Sequence, residues 1–144
     1  MLTAFAMLTF SDVPDSEYTF DFAYVEKQKT VQATLEAYTA RWADAITLVP
    51  VVAWEKALQS TLESWLFDCL RLPEWCEQSW RANLVGDLLK KIEQLVQPTT
   101  VWRVTVTPKG FYELHWEDFA LESERAVFYL HLGFSDQYIF YAQI

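Results

Sequence analysis

The fold is decided by the stretch from Val101 to Asp136, which reads VWRVTVTPKGFYELHWEDFALESERAVFYLHLGFSD. At its start Trp102, Val104 and Val106 alternate with Arg103 and Thr105. This period of two is typical of a β-strand with one buried face. The stretch therefore begins with a predicted strand.

Two turn sequences then divide the stretch. The first is Thr107–Gly110, with proline in its second position and glycine in its fourth, and the second is Glu122–Arg125. Between and after these turns we expect a strand at Phe111–Trp116, which Phe119–Leu121 extends or re-pairs, and a strand at Ala126–Leu132. The stretch thus predicts an antiparallel meander of three strands.

Strands are also predicted near both termini. Met1–Phe10 is apolar, and in Tyr18–Val25 the aromatic residues recur at every second position. Ser11–Ser16, which contains Pro14, has the composition of a loop between them. Tyr138–Ala142 is predicted as an additional edge strand.

The middle of the chain predicts two helices. Val51–Leu72 carries an apolar stripe at helical spacing and is stopped by Pro73, and a second helix runs from about Trp75 to Val96. Their short connection favours an antiparallel hairpin. Residues 30–49 fit both a helix and a strand paired with Tyr18–Val25, because apolar residues occur there at both spacings.

Together these elements predict an α+β fold. An antiparallel sheet, built from the C-terminal meander and the N-terminal strands, packs one face against the two-helix hairpin. The other face is expected to be free for solvent or a partner. With 144 residues, residues 1–144 are expected to form one globular domain.

Composition and charge narrow the class of partner. The hydrophobic fraction of 52% excludes a disordered chain. Twenty acids against eleven bases argue against direct nucleic-acid binding, which needs a basic patch. We find no pattern of a secretory signal at Met1–Phe10 and no apolar run of membrane-spanning length, so we expect a cytoplasmic protein without membrane contact.

The negative charge is segregated along the chain. Ser11–Glu26 holds five acids and no base, and Phe111–Ile144 holds six acids and one base, Arg125. The remaining residues are close to neutral. Solubility alone does not require this pattern, although it accounts for many acidic proteins. The segregation favours a docking surface for a basic protein.

The residues expected to form this partner-binding surface are the acids of both segments and two aromatic anchors in the meander. They are Asp12, Asp15, Glu17, Asp21, Tyr112, Glu113, Trp116, Glu117, Asp118, Glu122 and Glu124. Aromatic anchors surrounded by charged groups are common at protein interfaces.

Signals for catalysis, metals and cofactors are weak. His115 and Glu117 lie two residues apart on a predicted strand, hence on one face, and are the best candidates for acid–base work. No nucleophile motif accompanies them. Cys69 and Cys76 lack metal-ligand spacing, and their small number fits a reducing compartment. We therefore expect no enzyme, no metal and no cofactor.

The segment Lys109–Asp136 resembles the C-terminal part of small bacterial immunity proteins of polymorphic-toxin and contact-dependent growth inhibition systems. The resemblance covers about a fifth of the chain and transfers no functional residue. It implies a cytoplasmic protein that binds and blocks a cognate toxin domain, often a basic nuclease.

Two other functions remain open. One is an acidic secretion chaperone or adaptor, which would bind an unfolded segment of its client. The other is a small enzyme that uses His115 and Glu117.

Overall fold

The computed structural model describes residues 18–68 and 78–135. In chain order the elements are strand β1 (Tyr18–Glu26), helix α1 (Val31–Thr39), strand β2 (Ala43–Pro50), helix α2 (Trp54–Glu63) with a π-helical turn (Ser64–Asp68), helix α3 (Gln78–Val96), and strands β3 (Thr100–Pro108), β4 (His115–Glu122) and β5 (Ala126–Phe134). The strands form one antiparallel sheet in the order β1-β5-β4-β3-β2. The predicted α+β fold is confirmed.

Strand β5 lies at the centre of the apolar core. Every residue of β5 except Phe128 is buried, because β1 and β4 flank it and helices cover both of its faces. On one face Leu130 and Leu132 pack with α2 and α3. On the other face Val127 and Tyr129 pack with α1.

Helices α2 and α3 cover the first face of the sheet as predicted. Leu62, Trp65 and Ile92 pack there against Phe119 and Leu130 in the larger of two apolar clusters. The helix α2 begins later than predicted, since Ala53 has a left-handed backbone with φ of 50° directly before it. Helix α3 ends at Val96, as predicted, and residues 69–77 between the helices lie outside the described part of the chain.

The second face is not left free, contrary to the prediction. Residues 30–49 form both of the alternatives in succession, first helix α1 and then strand β2. Leu35 of α1 is fully buried against Val104 and Tyr129 in the second apolar cluster. Thr30 caps this helix by accepting a hydrogen bond from Ala33 N at 3.0 Å.

Strand pairing also differs from the hairpin considered between residues 30–37 and Tyr18–Val25. Strand β1 pairs with β5, and β2 pairs with β3. The predicted strands Met1–Phe10 and Tyr138–Ala142 lie outside the described residues. None of the helices within the described ranges is long and apolar enough to cross a membrane.

The second strand of the meander begins later than predicted. Strand was expected from Phe111, but β4 begins at His115, and residues 109–114 form a connection that we call the β3–β4 loop. The loop is held at both ends: Lys109 N donates to Trp42 O at 2.9 Å, and Leu114 N donates to Phe134 O at 3.0 Å.

Candidate functional site

Strands β3 and β4 separate at one end of the sheet. They pair from Thr100 and Glu122 to Val104 and Asp118. Beyond that point β3 pairs only with β2, up to Pro108, while β4 continues along β5 to His115. A cleft of about 280 Å³ lies at this point, lined by residues 103–106 of β3 and residues 116–118 of β4. We call it the β3–β4 cleft.

A buried carboxylate forms part of the wall of this cleft. Asp118 is 1% exposed, and its Oδ2 accepts hydrogen bonds from the hydroxyls of Tyr129 at 2.6 Å and Tyr112 at 2.9 Å. Its Oδ1 lies 2.5 Å from Nδ1 of His131. Three polar groups therefore converge on Asp118, and such bonding is what makes a buried carboxylate tolerable.

His131 lies between two carboxylates. Its Nδ1 contacts Asp118, and its Nε2 lies 3.2 Å from Oε1 of Glu113, a residue of the β3–β4 loop. Burial lowers the pKa of His131, but the hydrogen bonds and negative charges of Asp118 and Glu113 outweigh burial, so the pKa is raised. When protonated, the ring donates from both nitrogens and links the loop to the sheet.

The phenols of this group are held in their neutral form. The pKa of Tyr129 and that of Tyr112 are both raised, because burial and the adjacent charge of Asp118 disfavour a phenolate. Burial, Asp21 and Asp118 also raise the pKa of Tyr38 on α1. We call Tyr112, Glu113, Asp118, Tyr129 and His131 the buried cluster.

Gly133 makes room for the buried cluster. It follows His131 by two positions and so faces the same side of the sheet. A Cβ at Gly133 would lie 2.8 Å from Nε2 of His131 and 3.0 Å from the carboxyl carbon of Glu113. Only glycine lets the Glu113 carboxylate reach His131 without displacement.

Five of the residues predicted to bind a partner lie together around the cleft and the buried cluster: Tyr112, Glu113, Trp116, Glu117 and Asp118. The rings of Tyr112 and Trp116 meet edge to face at 5.1 Å. Glu117 accepts hydrogen bonds from Arg103 at 2.9 Å and from Trp65 Nε1 at 3.2 Å. The acids in this group are therefore engaged within the chain.

The other predicted residues lie elsewhere. Glu122, at the far end of β4, pairs with Lys27 at 2.8 Å and accepts a hydrogen bond from Trp102. Glu124 is exposed in the turn after β4. Asp21 is exposed on β1, opposite His131 in the strand register, so the described part of the first acidic segment adjoins β5. Asp12, Asp15 and Glu17 lie outside the described residues.

His115 and Glu117, the pair considered for catalysis, each contact other residues in the structure. His115 is exposed and stacks on Trp65, with ring centroids 5.0 Å apart and an interplanar angle of 12°. Glu117 bonds Trp65 and Arg103, so its position serves the helix–sheet contact. The histidine with carboxylate partners is His131, which sequence reasoning did not select. Its signal was a single histidine in a strand whose other residues are aliphatic, aromatic or glycine, Ala126–Phe134.

In residues 18–68 and 78–135 no group of three or more His, Cys, Asp or Glu side chains is arranged to hold a metal ion, and Cys69 and Cys76 lie outside these ranges.

The chain was compared with protein-family models, curated proteins and solved structures, and it matches none of them.

Proposed function

We propose that the protein binds and neutralises a basic toxin domain, as an immunity protein does, and that the β3–β4 cleft receives a basic side chain of that domain. The observation that carries this proposal is the cleft itself, where Trp116, Glu117 and Asp118 line a cavity at an interruption of the sheet. A cation held over a tryptophan ring and beside carboxylates is favoured by both groups.

The charge of the cleft supports a cationic guest. In the buried cluster His131 contacts two carboxylates, Asp118 and Glu113, so that its ring, when protonated, offsets at most one of their two negative charges. Arg103, which also lines the cleft, is paired with Glu117. A low-dielectric wall strengthens the attraction between such a buried charge and a partner's lysine or arginine.

The rigidity of the site supports tight binding. Tyr112, Tyr129 and His131 fix the Asp118 carboxylate before any partner arrives. A preorganised site loses less conformational entropy on association than a flexible one. The protein would act by covering the toxin surface, and this action requires no chemistry of its own.

The test uses as its probe the C-terminal domain encoded by the gene immediately upstream. We expect its expression to stop bacterial growth, co-expression of this protein to restore growth, and calorimetry to give one-to-one binding at low salt. Trp116→Ala and Glu117→Gln should each weaken binding about tenfold or more. Glu93→Gln, an exposed acid on α3, is the matched control and should bind as the wild type does.

Failure of the wild type to restore growth or to bind the probe at low salt would refute the proposal. Binding only to an unfolded segment of the probe would indicate a secretion chaperone instead.

A further inference from the structure

The β3–β4 loop presents a large apolar side chain to solvent. Phe111 is 75% exposed, although its neighbours Tyr112 and Glu113 direct their side chains into the buried cluster. A single exposed apolar residue needs no special explanation. Phe111 differs because the chain on both of its sides is fixed.

The loop holds Phe111 in one place. Before it, Lys109 N is bonded to Trp42 O, and after it Tyr112, Glu113 and Leu114 are bonded to Asp118, His131 and Phe134 O, respectively. Because these bonds already order the backbone, a partner that binds the ring loses little additional entropy. An aromatic side chain has only two rotatable bonds and adds little to that loss.

The surroundings of Phe111 match those of an interface anchor. Tyr112 follows it directly and contacts Trp116, which lines the β3–β4 cleft together with Glu117 and Asp118. Residues that dominate binding energy are commonly aromatic and lie near charged pairs that become desolvated. The loop and the cleft thus combine an apolar contact with an attraction for cations.

We propose that the β3–β4 loop determines which toxin is recognised, with Phe111 inserting into an apolar pocket that is bordered by the lysine or arginine held in the cleft. This inference rests on the proposed function. The partner it fits is a folded basic domain that has such a pocket beside a basic side chain.

The experiment measures binding of the same upstream-encoded domain to Phe111→Ala by surface plasmon resonance. We expect the Kd to rise about 30-fold or more, mainly through faster dissociation. Leu95→Ala is the matched control, since Leu95 is 66% exposed on α3, and its Kd should stay within about twofold of the wild type. Melting temperatures of both variants should match the wild type.

A second variant tests the role of the fixed loop. Tyr112→Phe keeps the ring but removes the hydroxyl that bonds Asp118, and we expect a weaker loss of about threefold to tenfold. If wild-type protein binds the domain and Phe111→Ala binds within twofold of it, the anchor is refuted while the proposed function stands.

Two further results are decisive. If the wild type does not bind the domain, the proposed function fails and this inference fails with it. If light scattering shows a wild-type dimer that Phe111→Ala converts to a monomer, Phe111 serves self-association and the inference is overturned.

Discussion

His131 connects three parts of the molecule through one ring, and its removal has a calculable consequence. In His131→Ala the carboxylates of Asp118 and Glu113 stay buried without their shared cation. Breaking a buried ion pair in this way costs about 3 kcal/mol. We expect urea denaturation to show that loss in the free energy of unfolding.

His115→Ala serves as the control for this substitution. His115 is exposed and stacks on Trp65 without a buried ion pair, so its loss should cost less than about 1 kcal/mol. Equal losses for the two variants would show that the buried cluster adds no special stability.

The raised pKa of His131 predicts a dependence of stability on pH. The folded protein keeps this proton to a higher pH than the unfolded chain, whose histidines titrate near 6.5. The stabilisation is therefore complete below pH 6.5 and is lost as pH rises through the folded pKa. Urea denaturation between about pH 6 and pH 9 should show a falling free energy of unfolding.

The range stops below pH 10 because the raised pKa of Tyr112 and Tyr129 adds a second loss of stability above that value. His131→Gln should abolish the fall between pH 6 and 9 relative to the wild type. A fall of the same size in His131→Gln would assign it to titratable groups outside the buried cluster.

The close contacts around Gly133 predict that a larger residue at this position destabilises the protein. An alanine Cβ there would lie within 3.0 Å of both His131 and Glu113, and these side chains are paired and buried. Gly133→Ala should cost about 1–3 kcal/mol, as overpacking does. A Cβ at Gly110 would meet nothing within 4 Å, and Gly110 does not adopt a positive φ.

The free energy of unfolding of Gly110→Ala should therefore stay within about 0.5 kcal/mol of the wild type. Thermal denaturation of the wild type and of both glycine variants measures these differences. If Gly133→Ala were as stable as Gly110→Ala, the Glu113–His131 contact would have room to shift, and the argument from close packing would be wrong.

The buried cluster was only partly foreseeable from the sequence. Alternation through β4 places Trp116, Asp118 and Ala120 on one face, which marks Asp118 as a carboxylate among apolar neighbours. That pattern does not say that His131, thirteen residues away, is its partner. The pairing depends on the register of β4 and β5, which becomes known only when the turn between them is known.

At the scale of elements, the same limit explains residues 30–49. Apolar residues there satisfy both periods, so the pattern alone does not separate helix α1 from strand β2. Helix α1 is favoured by the Thr30 cap at its start and by burial of Leu35 against the sheet. The late start of β4 has a similar cause, because Tyr112 and Glu113 are drawn from strand geometry into the buried cluster.

Coverage of the second face by α1 predicts a large effect for Leu35→Ala. Leu35 is fully buried in the apolar cluster that includes Val104 and Tyr129, so the substitution should cost about 2–5 kcal/mol through lost burial and a remaining cavity. Leu95→Ala, on the exposed side of α3, should cost less than about 1 kcal/mol. Comparable urea midpoints for both would show that α1 is not packed on the sheet.

For the whole molecule, the distribution of charge refines the expectation of an acidic docking face. Four of the predicted acids form hydrogen bonds or ion pairs within the chain: Glu113, Glu117, Asp118 and Glu122. Their main effect is therefore to fix the geometry of the site. The net charge of −9 still surrounds the molecule with a negative field. Short-range recognition and long-range attraction are thus supplied by different residues.

Because different residues supply these two contributions, we expect salt and substitutions to act separately on the association and dissociation rates of the proposed basic partner. Raising NaCl from about 0.05 M to 0.5 M should lower the association rate constant about tenfold, because salt screens the long-range field, with little change in dissociation. Asp21→Lys, at an exposed acid, should also slow association, whereas Phe111→Ala should speed dissociation. Stopped-flow fluorescence measures both rates. An association rate that does not respond to salt would leave the acidic field a role in solubility alone.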